Sequence, residues 1–592
     1  MSSSLVALAG LSLFLLGYRF YSKHISHRIY GLDDSIKTPA HELADGVDYV
    51  PTKKHILWGH HYSSIAGAAP IVGPAIAVIW GWVPAFIWVV FGTILIGAVH
   101  DFGALAISLR HKGESIGKIT ESIIGPRSRF LFLTLIFLLV FIVAAVFALI
   151  IATLFVSYPG SVIPINFEIA VALLIGYTIR RKGGSIVIPS ILALIGLYAT
   201  VLVGWKFPIH AVDIASPLVQ WFSTADVWSA FRETVSLGVP DYELIRTGEI
   251  MFWIHFLFIY GFIASVLPVW TLLQPRDLIN SHQLIIGLLL IYAGLFIANR
   301  PIVAPAFNPG AEGSPPFIPF LFITIACGAI SGFHSLVSSG TTSKQVDKMT
   351  DARPIGYGGM LAEGTLALVA VLAATAGFSS LQAWTSHFES WGHAGSLSMK
   401  IGAFVEGCAV FLGSVGIPSK LAVIFVSVLI ISFANTSLDT AFRIQRYVVG
   451  EFARSVNLKT IAGNRYLQAF IGVFTAYLLA VGKSGGKGGL ILWPLFGSTN
   501  QLIGGLALLV ISIWVLKRGR PAFYTLIPMV FLLAVTSFSL IFELMGHIAG
   551  NEWLLTLLTS VILFCEGWIL FEAVVVLKKN YRKHLPLGKY KS

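Results

Sequence analysis

Two apolar stretches of the sequence carry the residues best suited to bind a small solute. The first, "GHHYSSIAGAAPIVGP", covers residues 59–74, and the second, "CGAISGFHSLVSSGTT", covers residues 327–342. Both combine imidazole and hydroxyl side chains with glycines. An imidazole, a hydroxyl and a freed backbone amide can each donate a hydrogen bond to a carboxylate. The residues predicted to bind substrate are His61, Ser63, Ser64, Gly67, Pro70, Ser331, Gly332, His334 and Ser335.

These stretches should interrupt the helices that contain them. Glycine permits non-helical backbone, and Pro70 and Pro74 remove amide donors that an unbroken helix would use. We therefore expect the helix over residues 56–80 to unwind around residues 66–73, beside a matching break near residues 331–334. An unpaired backbone group costs several kcal/mol in hydrocarbon. Such breaks persist where protein buries them, and secondary transporters use them as binding sites.

One pair of polar residues could couple transport to protons. His100 and Asp101 are adjacent in "GAVHDFGALAISLR", and an imidazole beside a carboxylate can relay a proton. The alternative is that the pair anchors a helix junction. We interpret Glu363 as a residue that snorkels or pairs locally, and Glu566 and Glu572 as structural residues of the last helix.

A second polar group lies in "ISFANTSLDTAFRIQRY" and contains Asn435, Thr436, Ser437 and Asp439. Its oxygen atoms could bind a hard cation such as sodium, or could carry a proton. The alternative is hydrogen bonding between neighbouring helices, which polar residues in membrane bundles often provide. Asp439 is the favoured functional member, because a carboxylate inside a membrane is costly.

The sequence predicts no metal site and no cofactor beyond a coupling proton or sodium ion. His60 and His61 lack an accompanying cysteine or a second spaced histidine. Cys327, Cys408 and Cys565 are far apart in apolar surroundings, which matches neither a disulfide framework nor a metal-ligand spacing. Since no nucleophile–base pair stands out either, we expect that the protein is not an enzyme.

The composition indicates which elements must position these residues. Of 592 residues, 56% are hydrophobic and only 11% are charged, and apolar runs of spanning length recur from end to end. This pattern predicts an all-α polytopic membrane protein whose partners are the lipid bilayer and a small solute. The net charge of +12 comes from short loops, so it does not indicate a nucleic-acid partner. The oligomeric state is left open.

We count about 15 transmembrane helices. They are centred on residues 5–22, 56–80, 82–109, 130–156, 165–180, 185–206, 250–272, 283–298, 317–340, 358–380, 420–442, 466–482, 490–516, 521–546 and 552–577. Basic residues fall in every second loop, which predicts an extracellular amino terminus and a cytoplasmic carboxyl terminus. Arg276, Lys344 and Arg443 belong to this cytoplasmic set, which ends in a basic tail from Lys578.

Residues 399–418 would break the alternation if they spanned, so we interpret them as a re-entrant or surface-lying outer segment. The glycine-rich "KSGGKGG" at 483–489 is predicted to be an outer hairpin.

The two polar stretches also suggest an internal repeat. Aligning Gly59 with Gly332 brings His61 onto His334 and Gly67 onto Gly340. The two stretches run in opposite directions and each is followed by four more spans, as expected for inverted repeats. The arrangement resembles the leucine-transporter fold, with a 5+5 core. The predicted divisions are 1–55, the first repeat at 56–206, inserted material at 207–316, the second repeat at 317–516 and two terminal helices within 517–592.

Several sequence blocks resemble the carbon starvation protein family, CstA. The longest is "GLDDSIKTPAHELADGVDYVPTKKHILWGHHYSSIAGAAPIVGPAIA" at 31–77; the others are "GAVHDFGAL", "SGFHSLVSSGTTSKQ" and "LWPLFGSTNQLIGGLALL". This resemblance implies a prokaryotic inner-membrane protein that takes up peptides or, by proton-driven symport, pyruvate.

Taken with the breaks, the prediction is a secondary active transporter for a peptide or pyruvate-like 2-oxoacid, coupled to protons or sodium. The alternatives are a channel, which needs a continuous polar stripe, and a membrane-embedded sensor or enzyme.

Overall fold

The computed structural model describes residues 1–224, 241–483 and 486–583. Within these ranges the regular elements are helices. By length and composition, 13 helices could each cross a membrane, and the bent pair Lys54–Ile65 and Ala69–Trp80 makes 14 if it is one span. The prediction of an all-α polytopic membrane protein is therefore confirmed.

The amino-terminal half begins with one long helix and continues with the first broken helix. In chain order its helices are α1 (Ser3–Tyr30), α2 (Lys54–Ile65), α3 (Ala69–Trp80), α4 (Trp82–Arg110), α5 (Ile116–Ile123), α6 (Pro126–Ser157), α7 (Pro159–Lys182) and α8 (Val187–Lys206). Three helices follow before the second broken helix: α9 (Ala211–Thr224), α10 (Asp241–Val266) and α11 (Leu273–Ala298).

The carboxyl-terminal half contains the second break and the longest helix. Its helices are α12 (Phe317–Thr324), α13 (Gly332–Gly340), α14 (Met349–Ala376), α15 (Leu381–His387), α16 (Leu397–Ser414), α17 (Ser419–Ser455), α18 (Lys459–Gly463), α19 (Arg465–Val481), α20 (Trp493–Lys517), α21 (Phe523–Ala549) and α22 (Trp553–Lys583).

Three of the short helices at the breaks, α2, α3 and α13, pack among the long helices of the bundle. Helix α2 packs against α11 and α14, α3 against α14, and α13 against α4 and α20, while α6 packs along α17. Every residue of α13 is buried. The surrounding long helices therefore cover the non-helical backbone, as the membrane requires.

One predicted boundary was wrong, and one predicted span is interrupted, as expected. Helix α11 was expected to begin at residue 283, but it begins at Leu273, because the polar residues of "LQPRDLINSHQ" face the bundle interior as part of the helix. The span over residues 317–340 is two short helices, separated by residues 325–331. Neither half alone is long enough to cross a membrane.

Helix α16 crosses the ends of two long helices. Gly407, near its middle, approaches the Ala373 carbonyl in the last turn of α14, and its Phe411 carbonyl approaches Gly294 near the end of α11. Both contacts need glycine, since a Cβ at either position would collide with backbone. Although α16 has the length and composition of a span, these contacts favour a helix lying across the bundle end. Its side of the membrane stays a prediction.

Three predicted features lie partly outside the described residues: the middle of the 207–249 loop, the "KSGGKGG" hairpin at residues 484–485, and the end of the basic tail. The inverted 5+5 repeat and the division of the chain based on it also stay predictions.

Candidate functional site

The first break is short and begins where the sequence placed it. Helix α2 ends at Ile65, α3 begins at Ala69, and the two axes differ by 49°. The expectation that unwinding continues to Gly73 was wrong, because residues 69–73 are helical and Pro70 occupies the first turn. That position suits proline, since the first-turn amides of a helix have no intrahelical acceptor.

Gly67 is required in this break for steric reasons. A Cβ at Gly67 would lie 2.7 Å from the Phe147 ring and 3.0 Å from the Ser437 hydroxyl. The break therefore lies in direct contact with α6 and α17, and a larger side chain at position 67 would displace one of these helices.

The second break lies before its predicted position. Residues 325–331 are non-helical, whereas Gly332 and His334 are already in the first turn of α13. The predicted break at residues 331–334 was therefore wrong by several residues. Asn500 on α20 caps this turn: its carbonyl oxygen accepts from the Phe333 N–H at 2.9 Å, and its amide contacts the Ser331 hydroxyl at 3.0 Å.

A chain of buried ionisable residues runs past the second break. His100 Nδ1 lies 3.1 Å from Asp101 Oδ1, and Asp101 Oδ2 lies 3.1 Å from His334 Nδ1. His334 Nε2 lies 3.3 Å from Glu363 Oε2, and Glu363 Oε1 accepts from the Gly328 N–H at 3.2 Å. The four side chains are fully buried. We call His100, Asp101, His334 and Glu363 the histidine–carboxylate chain. It joins His334, predicted to bind substrate, to the predicted proton pair.

The predicted sodium group belongs to a different network. Asp439 forms an ion pair with Arg276 of α11 and accepts from the Tyr260 hydroxyl at 2.7 Å. Arg276 also lies 3.2 Å from Asp277, whose carboxylate is 2.5 Å from His60 Nδ1. We call this set of five side chains the Arg276 network. Its members Arg276, Asp277 and Asp439 are fully or almost fully buried.

The remaining residues of that group stand beside this network. Asn280 of α11 donates to the Thr436 hydroxyl at 2.8 Å. The Ser437 hydroxyl donates to the Ser64 carbonyl at 3.0 Å and so ties α17 to the first break. Asn435 is buried, and its side-chain oxygen lacks a hydrogen-bond partner among the described residues.

Most of the other residues predicted to bind substrate form hydrogen bonds within the protein. The Ser63 hydroxyl donates to the Asp277 carbonyl at 3.2 Å, the Ser64 hydroxyl accepts from Thr440 at 3.1 Å, and Ser335 donates to the Gly332 carbonyl at 2.7 Å. His61 differs: its Nδ1 lies 2.9 Å from the Thr342 hydroxyl, and its Nε2 has no hydrogen-bond partner in the part of the chain that the structure describes.

A small cavity, about 240 Å³ in all including the gaps between its lining atoms, lies between the two breaks. Ile65, Gly67 and Ala69 line it from the first break, Cys327 and Phe333 from the second, and Ser437 and Phe496 from α17 and α20. The amino-terminal ends of α3 and α13 both open onto it. Helix amino termini carry partial positive charge, which favours an anionic group nearby, but Asn500 already accepts from the Phe333 N–H in the first turn of α13.

A larger cavity lies beside the small one and extends to one end of the bundle. We call it the vestibule; its volume is about 1220 Å³ including the part open to solvent, and Ala69, Cys327, Phe496, Trp493, Lys400 and Glu543 are among its lining residues. Ala69, Cys327 and Phe496 line both cavities. A solute in the vestibule can therefore reach the breaks.

Charged residues close the opposite end of α13 and α17. Asp48, in the loop before α2, lies 3.0 Å from Arg443, 3.4 Å from Arg446 and 2.7 Å from the Tyr447 hydroxyl. The Lys344 ammonium lies 3.8 Å from the centre of the Tyr447 ring. Burial alone would raise the pKa of Asp48, but the guanidinium groups of Arg443 and Arg446 hold it at about 2. We call these five residues the Asp48 cluster.

The amino-acid sequence matches the family model described as carbon starvation protein CstA over residues 2–400 and 391–539. The chain belongs to this family. The resemblance found in the sequence is therefore confirmed, and the apolar helices together with the bacterial relatives identify a multi-pass bacterial membrane protein.

Curated members of the CstA family align with most of this chain. The peptide transporter CstA of Campylobacter jejuni is 31% identical, over 93% of this chain and 82% of that protein. The peptide transporter CstA of Bacillus subtilis is 29% identical, over 97% of each. The pyruvate/proton symporter BtsT of Escherichia coli is 30% identical, over 90% of this chain and 81% of that protein. Among solved structures, a manganese transporter variant of Eremococcus coleocola aligns with a TM-score of 0.44 and 12% identity, over 91% of this chain and 99% of that one.

Sequence reasoning missed three residues of this CstA-family site. Glu363 was interpreted as snorkelling or pairing locally, Cys327 as a residue in apolar surroundings, and Arg276 as a loop charge. Glu363 stands in an apolar run and Cys327 lies within the second break, and an ionisable group in such a place is costly unless it has a partner. That signal was present for Glu363, but only the fold shows that its partner is His334.

Cys327, His334 and Glu363 also form a cluster that could hold a metal ion. One ligand atom from each lies within 4.8 Å of the other two, and all three residues are buried. Asp101 holds the other His334 ring nitrogen, an arrangement common for metal-binding histidines. The expectation of no metal rested on spacing along the sequence, and spacing does not reveal this cluster.

Proposed function

We propose that this CstA-family protein is a proton-coupled secondary transporter that takes up a small organic solute bearing a carboxylate, either a peptide or a pyruvate-like 2-oxoacid. The solute binds between the two helix breaks, and its carboxylate is held by the amino-terminal ends of α3 and α13. His61, whose Nε2 has no hydrogen-bond partner among the described residues, is the side chain assigned to orient it.

The observation that carries the proposal is that both breaks line one buried cavity. Three parts of the chain that are distant in the sequence meet there: residues 65–69, residue 327 with the start of α13, and Ser437. Two helix amino termini directed at one space favour an anion, and charge-assisted hydrogen bonds typically contribute about 1.5–3 kcal/mol each.

Protons are favoured over sodium as the coupling ion. The Asp439 carboxylate, the best sodium ligand in the sequence, has Arg276 and Tyr260 as partners. A guanidinium beside the carboxylate supplies the positive charge that a sodium ion would otherwise bring. The histidine–carboxylate chain, in contrast, contains two imidazoles and two carboxylates next to the solute cavity. It is assigned to carry the proton, in line with the relative from Escherichia coli that is a pyruvate/proton symporter.

The two ends of the bundle support alternating access. The vestibule opens the solute cavity to one end, and the Asp48 cluster joins α13, α17 and the 31–53 loop at the other. We assign the vestibule to the extracellular side of the cytoplasmic membrane and the Asp48 cluster to the cytoplasmic side, with the amino terminus outside. Opening the Asp48 cluster while the vestibule closes would release the solute into the cell.

A channel is the second candidate. It would need one continuous aqueous path, whereas the described cavities at the two ends are separated by buried residues of α13 and α17. A sensor would bind the same solutes without moving them.

Accumulation in liposomes tests the proposal. Purified full-length protein is reconstituted and given labelled pyruvate, dialanine or trialanine under an inward proton gradient. We expect at least one solute to accumulate above its external concentration, a protonophore to abolish accumulation, and replacement of sodium by choline to leave it unchanged. Equilibration without accumulation would indicate a channel, and the absence of flux for all three solutes would contradict the assigned solute class.

A further inference from the structure

Lys400 is a buried lysine that has no counter-ion among the described residues. It stands in the first turn of α16, and its side chain is only 9% exposed. Its ammonium lies 5.9 Å from the centre of the Trp493 ring, and no described carboxylate forms a salt bridge with it. An ammonium withdrawn from water in this way is costly unless an anion accompanies it.

The position of Lys400 connects it to the solute path. It lines the vestibule, the same cavity that reaches Ala69 and Cys327 at the two breaks. Trp391 and Trp493 contribute apolar walls, which strengthen an electrostatic contact by excluding water. A solute in the vestibule therefore shares that space with a buried cation.

The ionisable groups across the vestibule do not neutralise Lys400. Glu543 accepts hydrogen bonds from the Ser498 hydroxyl at 2.8 Å and the Ser539 hydroxyl at 3.3 Å. The His547 ring pairs with Glu552 at 2.6 Å. Only Glu543 Oε1 is engaged in this way, and Oε2 has no hydrogen-bond partner among the described residues, but neither Glu543 nor Glu552 forms a salt bridge with Lys400, so its ammonium remains available to an incoming anion.

We infer that Lys400 forms an access subsite, which takes the carboxylate of a solute in the vestibule before the solute moves to the breaks. This inference rests on the proposed function, and it adds an anion-selective step at the entrance. An ammonium offers three donors on a flexible stem, which suits transient binding of a carboxylate rather than rigid recognition. The subsite should therefore act on the apparent affinity for the solute more than on the maximal rate.

Uptake by charge variants tests this subsite. Lys400→Gln removes the charge at similar length, and Lys400→Arg keeps it. We expect Lys400→Gln to raise the KM for pyruvate or dialanine about tenfold with little change in kcat, and Lys400→Arg to stay within about threefold of wild type. Lys420→Gln is the matched control, because Lys420 is exposed at the start of α17 and does not line the vestibule. A KM for Lys400→Gln equal to that of Lys420→Gln would overturn the inference.

Chemical protection of the wild-type protein gives a second readout that needs no variant. A water-soluble acetylating reagent is applied with and without pyruvate or dialanine, and modification of each lysine is quantified by peptide mass spectrometry. We expect one of the solutes to slow acetylation of Lys400 and to leave Lys420 unchanged. Equal protection of both lysines, or none at Lys400 with either solute, would contradict the subsite.

The two experiments separate failure of the subsite from failure of the proposed function. Solute-dependent protection of Lys400 without accumulation in liposomes would support the subsite and contradict active transport. Proton-driven accumulation that is unaffected by Lys400→Gln would support transport and overturn the subsite.

Discussion

Arg276 of α11 forms a buried ion pair with Asp439 of α17. The two residues belong to parts of the sequence with different predicted roles, since α11 was counted as inserted and α17 as part of the second repeat. Because of this pair, α11 is an integral part of the site. The Asp439 carboxylate, the strongest candidate ligand for sodium, already has a cationic partner. The coupling scheme and the stability of the bundle both depend on it.

Removing one partner of this pair should destabilise the protein strongly. Arg276→Gln leaves the Asp439 carboxylate buried without its cation, a change that typically costs about 3–5 kcal/mol. The measurement is thermal unfolding of the purified protein in detergent. Arg127→Gln is the matched control, because the Arg127 side chain is 78% exposed and lies 3.8 Å from Glu572; a surface pair of this kind contributes at most about 1 kcal/mol. Equal loss of stability in the two variants would contradict the role given to the Arg276 network.

Neutralising the histidine–carboxylate chain should uncouple transport from protons. In Asp101→Asn or Glu363→Gln, we expect proton-driven accumulation to fall at least tenfold while exchange of labelled for unlabelled solute continues, because exchange needs no net proton movement. Glu566→Gln is the control, since Glu566 is also buried but contacts Ser537 on α21, away from the chain. Undiminished accumulation in both Asp101→Asn and Glu363→Gln would indicate that these residues have only a structural role.

Adding a methyl group at the first break should impair transport by steric overlap. Gly67→Ala places a Cβ against Phe147 and Ser437, so either α6 or α17 must shift. We expect uptake to fall at least tenfold and Phe147→Leu to restore part of it in the double variant. Gly567→Ala is the control, because no atom lies within 4 Å of a Cβ at that position. Normal uptake by Gly67→Ala would show that the break does not need this close approach.

Cysteine labelling from the two sides of the membrane tests the topology. The native cysteines at 327, 408 and 565 are buried, and Gly392, Gly413 and Gly463 can each accept a larger side chain without contact. We expect Gly392→Cys and Gly413→Cys to react with a membrane-impermeant maleimide from outside the cell, and Gly463→Cys only from the cytoplasmic side. If Gly392→Cys and Gly413→Cys reacted from opposite sides, α16 would span and the repeat scheme would fail.

The sequence allowed the helical class, most spans and the existence of both breaks to be predicted. These features depend on local composition: apolar runs of spanning length, and the glycines, prolines and polar side chains that interrupt two of them. The first break was found within a few residues, because Pro70 and Gly67 mark it directly. The second break was predicted several residues too far along the chain. His334 and Ser335 interrupt the apolar run in the sequence, but they lie in the first turn of α13.

The site itself could be predicted only in part, because its partners are far apart in the chain. Asp101 and His334 were both selected, but for different roles, and nothing local indicates that they are 3.1 Å apart. Arg276 was assigned to a loop because "LQPRDLINSHQ" is polar, whereas its polarity faces the interior of the bundle. Pairings of this kind follow from the packing of α4, α11 and α17 against the broken helices, which periodicity and charge counts do not reveal.

The most direct test of proton-coupled transport is whether solute entry carries protons. Protein is reconstituted in liposomes that contain a pH-sensitive dye, with potassium and valinomycin to hold the membrane potential near zero, and pyruvate or dialanine is added outside. We predict that the lumen of wild-type liposomes acidifies on addition of a transported solute, faster than in protein-free liposomes, and that Glu363→Gln liposomes do not show this excess. Solute uptake with no excess acidification, or uptake that requires sodium, would contradict the account.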